Sequence, residues 1–550
     1  MTTNPSAGGG SQAPARERAV LDSAHVGDIE GAFGTIGQHE GRRRGLRLRA
    51  LALLAIVGPG LIVMVGDNDA GGVATYSQAG QNYGTSLLWV LLLLIPVLVV
   101  NQEMVVRLGA VTGVGHARLI IERFGKFWGA FSVGDLFLLN FLTIVTEFIG
   151  VSLALGYFGV SKYISVTIAA FALIAITVSG SFRFWERAMF LFVFASLLFI
   201  PLFFIAHPHP GAIAGHLVVP GIYGGANSTS VLLIIGMVGT TVAPWQLFFQ
   251  QSNVIDKRIT PRWINYERLD TWIGAFVVVV GALALVCVSA FAFQHTHYFG
   301  QFTDAGATAT ALDHVLGPAA GALFAFVLLN ASLIGAGALT LSTSYAFGDV
   351  FGLKSSLHRS FSEAKLFYAI FAGMIAGAAA IVLIPGAPLG VITLAVQALA
   401  GVLLPSASVF LLLLCNDREV LGPWRNPGWH NVLASVIVAT LVLLSLILMA
   451  TTMFPNINVT AVSLGGAVAL SGGLLVFGLV TLRARRRAAA VTVIEPTPTV
   501  PKEQWTMPPL ALLARPQWST GRKVAMFTLR GYLLGSVILL VVKAIQLGGG

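Results

Sequence analysis

Long uninterrupted apolar runs constrain this chain more than any other feature of its sequence. Twelve such runs follow one another between residues 50 and 482, and a thirteenth lies at about 526–547. A helix of about 20 apolar residues crosses the roughly 30 Å hydrocarbon layer of a membrane. Only 10% of the 550 residues are charged, against about 25% in a soluble domain. The sequence therefore predicts an all-α integral membrane protein and excludes an ordinary soluble enzyme. The spans are predicted at about 50–78, 85–106, 129–158, 162–180, 184–206, 229–252, 270–293, 315–345, 366–385, 388–414, 431–453 and 459–482.

Basic residues mark one side of the predicted helix bundle. Arginines 42–44, 47 and 49 precede the first span, and Lys or Arg residues follow every even-numbered span. The loops at 207–228, 294–314 and 454–458 contain no Lys or Arg. Because cytoplasmic loops carry an excess of these residues, we expect a multi-pass protein of the plasma (inner) membrane with a cytoplasmic N-terminus. This placement also explains the net charge of +10 without a nucleic-acid partner.

Two of the predicted spans are interrupted. Gly66 to Gly72 interrupts span one, and Gly239 to Pro244 interrupts span six, five helices later. Successive spans cross the membrane in alternating directions. Because five is an odd number, each helix of the second group of five runs opposite to its counterpart in the first group, so the two groups have inverted topology. Broken helices at matching positions of two inverted halves indicate the midplane binding site of a transporter. The predicted segments are a disordered cytoplasmic arm at 1–45, repeat one at 46–206, repeat two at 207–416, helices 11–12 at 417–485, a cytoplasmic Pro-rich linker at 486–522 and a possible thirteenth helix at 523–550.

Asp67 and Asp69 lie within the first interruption. A carboxylate near the bilayer centre costs about 2.5–3.5 kcal/mol on insertion scales, so two of them need a cation, a proton or both. For Asp67 a second interpretation stays open, in which its side chain only caps the following half-helix.

Several motifs resemble the NRAMP family of divalent-metal transporters over about 46–453. The family pattern Asp-Pro-Gly-Asn in helix one falls on residues 69–72, with Asp69 on the Asp. The motifs at 107–113, 239–245, 270–271 and 426–429 follow in the family's order, and Gln397 falls on a Gln of span ten. The resemblance implies the leucine-transporter-type fold of five plus five helices in inverted repeats, with helices 1 and 6 broken and additional C-terminal helices.

The departures from the family pattern concern the expected metal ligands. The family's helix-one Asn is Gly72 here, and its helix-six Met is Ala243. A thioether favours transition metals, whereas oxygen ligands alone suit Mg²⁺, Ca²⁺ or Mn²⁺. A roomier site of oxygen ligands suits a partly hydrated ion and is similar to the NRAMP-related magnesium transporters. The resemblance therefore implies a metal site built from Asp69, Ala70, Gly72, Thr240, Ala243, Asp67 and Gln397.

The residues that carry a coupled proton in the family are partly replaced. Trp245 stands in place of the helix-six His and Ile144 in place of a helix-three Asp, whereas Glu147 is kept. We therefore expect weak or no proton coupling. Glu147 and Glu103 are candidate proton-carrying or supporting carboxyls, and a plain packing role for either stays open.

These observations predict a secondary transporter that moves Mg²⁺ and/or Mn²⁺ by alternating access. The alternatives are a proton-coupled Mn²⁺/Fe²⁺ symporter and an amino-acid carrier of the same fold. Because the sequence contains neither a Walker motif nor a catalytic motif such as HExxH, we expect no ATP dependence and no enzymatic activity. We expect no cofactor besides the transported cation. The sequence leaves open the choice between Mg²⁺ and Mn²⁺, the oligomeric state and whether the thirteenth segment spans the membrane.

Overall fold

The computed structural model describes residues 19–38, 40–41, 45–386, 389–454, 457–489, 500–514 and short stretches between 526 and 535. Within these residues the fold is helical apart from one hairpin of strands β1 (Ile29–Gly31) and β2 (Gly34–Ile36). The α-helices are α1 (Leu46–Ile56), α2 (Pro59–Gly66), α3 (Ala70–Tyr83), α4 (Leu88–Thr112), α5 (His116–Phe124), α6 (Lys126–Tyr157), α7 (Lys162–Val178), α8 (Phe182–Ser196), α9 (Phe199–Ile205), α10 (Pro210–Val218), α11 (Ser228–Thr241), α12 (Pro244–Asp256), α13 (Ile264–Phe293), α14 (Ala305–Leu316), α15 (Pro318–Phe351), α16 (Lys365–Val382), α17 (Leu389–Cys415), α18 (Arg418–Leu421), α19 (Gly428–Met453) and α20 (Val459–Ala489).

The twelve predicted spans all correspond to helices. Among the described residues, ten helical segments are long and apolar enough to cross a membrane, or eleven if the bent pair α1–α2 forms one span. The remaining predicted span, the fourth, is the shorter apolar helix α7. Most of the predicted thirteenth segment lies outside the described residues.

Both predicted helix breaks are confirmed. In span one, α2 ends at Gly66 and α3 begins at Ala70. In span six, α11 ends at Thr241 and α12 begins at Pro244. Proline suits the first position of a helix because it has no N–H to leave unpaired and its φ angle is already helical. The chain is therefore interrupted at two points, where short irregular segments separate the half-helices.

Span one contains a further bend that the sequence analysis did not predict. Helices α1 and α2 meet at an angle of 50° across Val57 and Gly58. Gly58 has a φ of +152°, which side-chain-bearing residues rarely adopt, and a Cβ atom there would overlap the Glu186 carboxylate. Asp270 accepts hydrogen bonds from the backbone N–H groups of Gly58 and Gly60 at 3.0 and 2.7 Å. Asp270 therefore holds the start of α2 in place.

The broken helices lie at the centre of the bundle. Helix α13 packs along α2 and α3, α11 packs against α17, and α15 packs against α6. A Cβ atom on Gly239 would lie only 2.5 Å from the backbone nitrogen of Gly401, so α11 and α17 approach each other through their backbones. Protein therefore surrounds the interrupted backbone, as membrane depth requires.

The prediction that residues 1–45 form a disordered arm is wrong for residues 19–36. These residues form a short 3-10 turn (Ser23–His25) followed by the hairpin, and Ile29 and Ile36 are buried beside α1. Averaging composition over 45 residues concealed this small apolar cluster. Residues 1–18 of the predicted arm lie outside the described residues.

Part of the predicted linker at 486–522 also packs against the bundle. The Met507 N–H donates to the Val111 carbonyl at 3.0 Å, and the Trp424 indole N–H donates to the Lys502 carbonyl at 2.7 Å. Residues 490–499 and 515–525 of this segment lie outside the described part of the chain. Residues 500–514 therefore belong to the folded body rather than to a free linker.

Candidate cation site at the two helix breaks

Asp69 and Glu147 together hold the beginning of α3. Asp69 is the N-cap residue, and its Oδ1 accepts the Gly72 N–H at 2.7 Å. Glu147, on α6, accepts the Ala70 N–H through Oε2 at 3.1 Å. A helix N-terminus favours negative charge because its first N–H groups are unpaired and its dipole is positive there. The capping role left open for Asp67 is therefore taken by Asp69.

Asp67 is fully buried, and neither of its carboxylate oxygens has a hydrogen-bond partner. Its neighbours include the Asp69 carboxylate, the Gln246 side-chain amide and the Tyr76 hydroxyl. A buried charged group without partners carries a large desolvation penalty. Asp67 therefore requires a proton, an ion or water to offset that penalty.

Gly72 faces a small space bounded by oxygen atoms. A Cβ atom on Gly72 would lie 3.1 Å from the Asp67 carbonyl oxygen and 3.3 Å from Thr240 Oγ1. Thr240 Oγ1 is buried and has no hydrogen-bond partner. The Thr240 carbonyl has no helical donor either, because position 244 is a proline and lacks an N–H. A side chain at position 72 would therefore crowd these oxygen atoms.

Gln397 lies directly over the start of α3. A Cβ atom on Gly71 would overlap the Gln397 side-chain amide, and Nε2 of that amide is buried without a partner. The glycine at position 71 is therefore needed for the close approach of α17. The structure thus brings Gln397 to the same break as Asp67 and Asp69, as the sequence analysis predicts.

Gly335 on α15 lies against both Glu147 and Asp69, which its place in the sequence did not indicate. A Cβ atom there would lie 2.7 Å from Glu147 Oε2 and 2.9 Å from the Asp69 Cβ. A glycine in an apolar span by itself indicates only a close helix contact. The absence of a side chain in fact makes room for two carboxyl groups side by side.

Three of the predicted site residues have a place or contacts different from those expected. Ala70 is the first residue of α3, so its carbonyl accepts within the helix, and the carbonyl that faces the space beside Gly72 is that of Asp67. Ala243 is buried at the second break, where its carbonyl accepts the Gln246 N–H. Glu103 lies outside the site, because it forms ion pairs with Arg107 and Arg268, described next.

Glu103 bonds Arg107 at 2.9 Å and Arg268 at 2.5 Å. These contacts join α4 to α13. The question of its role is therefore answered in favour of structural ion pairing rather than support of the candidate site.

Neutral polar side chains line the region between the two breaks. The Tyr76 hydroxyl lies 2.7 Å from Thr241 Oγ1, and Gln102 Nε2 donates to Gln246 Oε1 at 3.0 Å. Among the described residues, no three His, Cys, Asp or Glu side chains are arranged as a ligand cluster for a metal ion. A cation at the break would therefore meet two carboxylates together with hydroxyl and carbonyl oxygens.

Comparison with known families gives a match over most of the chain. The family model described as "Natural resistance-associated macrophage protein-like" (Nramp) matches residues 60–451. A curated relative from Burkholderia ambifaria, named divalent metal cation transporter MntH, is 33% identical over 308 residues, which cover 54% of this chain and 67% of the relative. The MntH of Bacillus subtilis is 28% identical over 429 residues, covering 75% and 95%.

Solved structures agree with the helix arrangement. The Eremococcus coleocola manganese transporter superposes with a TM-score of 0.62 over 81% of this chain and 98% of that chain, at 21% identity. A likeness at this identity concerns the fold alone. The predicted fold class, the leucine-transporter type with broken helices 1 and 6, is confirmed.

Proposed function

The chain belongs to the Nramp family, and we propose that it is a secondary transporter that carries divalent cations across the cell membrane by alternating access. The relatives described above are named as divalent metal cation transporters. We propose that the carried ions are Mg²⁺ and/or Mn²⁺.

The Asp67 carboxylate carries this proposal. It is fully buried, unpartnered and adjacent to the Asp69 carboxylate, at a point where both half-helices of span one end. A doubly positive ion offsets both charges at once. An anionic group, such as the carboxylate of an amino acid, is repelled by the same pair, which disfavours the amino-acid carrier.

The donor types favour a hard cation that keeps part of its water. The candidate donors are the carboxylates of Asp67 and Asp69, the Asp67 and Thr240 carbonyls and the Thr240 hydroxyl, all of which are oxygens. Ala243 supplies no sulfur, and Gly72 supplies no side-chain ligand. Mg²⁺ prefers oxygen ligands and usually keeps several waters in its site.

The surroundings of Trp245 support weak or no proton coupling. Its indole ring contacts Phe249, with the ring centroids 5.9 Å apart, and it is buried. The side chain therefore supplies no titratable group at the second break. Glu147 remains beside Asp69, so a proton-coupled Mn²⁺/Fe²⁺ symporter is the second candidate.

The distribution of charge supports a cytoplasmic location for the side of the bundle on which residues 22–35 lie. Arg183, Arg258 and Arg359, which follow spans four, six and eight, all contact residues 22–35. Basic loops gather on the cytoplasmic side of membrane proteins. We therefore propose that an ion enters from the opposite side, binds at the breaks and leaves past α2.

Proteoliposomes that contain the full-length protein test the proposal. Uptake of Mg²⁺, Mn²⁺ and Ca²⁺ is measured with and without competing amino acids, while a trapped dye reports lumenal pH. We expect Mg²⁺ or Mn²⁺ uptake with little change of pH, and none in vesicles with Asp69→Ala. Stoichiometric acidification would favour the symporter, and impermeability to every ion would refute the proposal.

A further inference from the structure

Residues 22–36 form a compact segment, here called the N-terminal latch, that touches several parts of the bundle. Its first anchor is Asp22, whose Oδ1 lies 2.5 Å from an Arg359 nitrogen. Arg359 Nε also donates to both Asp22 oxygens at 3.0 Å. Such a two-pronged pair between guanidinium and carboxylate is stronger and more specific in geometry than a single contact. It ties the latch to the loop after α15.

A second set of contacts ties the latch to α8. The Ala32 N–H donates to Glu186 Oε2 at 2.5 Å, and Arg187 Nε donates to the Ala32 carbonyl at 3.0 Å. Arg183 donates to Thr35 Oγ1 at 2.6 Å. Both hydrogen-bonding groups of Ala32 are therefore held by side chains of one helix.

A third set reaches the end of span six. Arg258, which follows α12, donates to the carbonyls of Ala24 and Asp28 at 2.9 and 3.1 Å. Its φ of +64° is unusual for a residue with a side chain. His25 Nε2 lies 3.4 Å from the Asp256 carboxylate at the C-terminus of α12. The latch thus joins the ends of three spans.

The hairpin of the latch packs against α1, the first part of broken span one. A Cβ atom on Gly31 would overlap the Ala55 carbonyl, and one on Gly34 would lie 3.2 Å from the Ala55 Cβ. Just beyond, Lys257 donates to the Val57 carbonyl at 2.8 Å. The half-helix of span one therefore lies between the latch and the bundle.

From these contacts we propose that residues 22–36 are a gate element that holds α1 and α2 against α8 and α12, and that they detach whenever the site opens on this side of the membrane. The inference rests on the alternating access of the proposed function. Passage of an ion past α2 requires that half-helix to move, and in the structure the latch bridges it to elements on either side. The Arg359 and Arg258 side chains of the latch contacts reach the surface, with 15% and 13% of each exposed, whereas Glu186 is fully buried.

Labelling of an engineered cysteine tests the latch in the full-length protein with Cys287 and Cys415 replaced by alanine. The reporter is Ala338→Cys on α15, a fully buried position whose methyl would lie 3.8 Å from a Cβ atom on Gly66, at the end of α2. Movement of α2 exposes this position. The rate of modification by a charged, water-soluble maleimide is then measured in detergent without any transported ion.

Arg359→Glu and Asp22→Arg should each raise the labelling rate about ten-fold, because each removes a strong anchor and shifts the population toward the open form. The double variant Asp22→Arg/Arg359→Glu restores the pair with its charges exchanged and should return the rate close to that of the parent. This restoration separates a specific latch from general misfolding, and every variant must also elute as a single species.

The matched control is Asp28→Asn, in the same segment. The Asp28 carboxylate accepts the Gln38 N–H at 2.8 Å, so the substitution changes charge without removing an anchor to a span. It should leave the labelling rate unchanged. Unchanged labelling in Arg359→Glu and Asp22→Arg, or no restoration in the double variant, would overturn the proposal.

A second reporter tests whether the latch controls the position of α2 or only covers a neighbouring cavity. The second reporter is Ser252→Cys on α12, a position that lines a cavity of about 140 Å³ together with Asp22 and His25. If only this position becomes reactive when the latch is weakened, while Ala338→Cys stays protected, the segment covers the cavity without controlling α2 and the inference fails. Because labelling needs no cation, this result is independent of which ion the chain carries.

Discussion

Two regions of the described chain hold buried carboxyl groups in opposite surroundings. Beside the latch, Glu186 lies 2.5 Å from Lys257 Nζ with both side chains fully buried, and Asp270 accepts three backbone N–H groups. At the helix breaks, Asp67 is equally buried but has no hydrogen-bond partner.

The contrast indicates that hydrogen-bond partners, rather than depth, set Asp67 apart from the carboxylates that hold the fold. Asp69 combines both features, because it lies at the break and also accepts the Gly72 N–H. When fixed donors bond a buried carboxylate, they offset the free-energy cost of removing it from water, and the group then stabilises the fold. A buried carboxylate without fixed donors depends instead on a proton, an ion or water that can bind and leave. Glu267 on α13 does not fit this division, because both of its oxygens are unpartnered although Lys257 and Asp270 are near.

The largest expected effect is the loss of transport in Asp69→Ala. The substitution removes the carboxylate at the break, and we expect uptake to fall at least about 100-fold, since a charge interaction in a dry site is worth several kcal/mol. The fold should survive, because helix capping contributes only about 1 kcal/mol. Uptake is measured in proteoliposomes, and thermal stability is measured in detergent. Normal uptake would place the site elsewhere.

A loss of stability, rather than a loss of transport alone, is expected for Lys257→Met, beside the hydrogen-bonded carboxylates Glu186 and Asp270. Removing the lysine leaves the Glu186 charge buried and unpaired, which should destabilise the protein by about 3–5 kcal/mol. A fall in the midpoint of thermal unfolding checks this, with the exposed Lys354→Met as control. Full stability in Lys257→Met would remove the distinction between the two regions.

A smaller effect, on ion preference, is expected from Ala243→Met at the second break. The thioether adds a soft ligand, so the ratio of Mn²⁺ to Mg²⁺ uptake should rise about ten-fold. Competition between the two ions in proteoliposomes measures the ratio, and Ala243→Leu is the control of similar size without sulfur. An equal shift in the leucine variant would show that volume rather than sulfur matters.

The smallest effect concerns the pH dependence of the latch. Burial opposes ionisation of Asp22, but hydrogen bonds from Arg359 and the Ala24 N–H outweigh it and lower the pKa of Asp22 below its usual value. Latch docking should therefore be complete at neutral pH and weaken as the pH falls through this lowered pKa. The charged and titratable groups around Asp22 are Arg359, His25, Arg118, Tyr345 and Asp349.

Labelling of Ala338→Cys over a range of acidic pH, corrected for the reactivity of the thiol with a model compound, measures this dependence. Asp22→Asn should flatten the profile, because the titrating group is then absent. A profile that keeps its shape in Asp22→Asn would assign the effect to another group.

The spans and both helix breaks were predictable from the sequence because their causes are local. Apolar runs of sufficient length form helices in a membrane, and Pro244 and the glycines around Asp67 interrupt them whatever packs nearby. The position of Asp69 within the break was predictable for the same reason, whereas its proposed role as a ligand came from the family resemblance.

Only the tertiary structure decided which buried charges are paired and which are free. Glu103 and Asp67 are both intramembrane carboxyls in sequence, yet arginines from two helices reach only Glu103. The order of residues 19–36 depends likewise on arginines more than 140 positions away. Pairing depends on distances between helices, and those distances follow from the packing of the whole bundle rather than from any local stretch of residues.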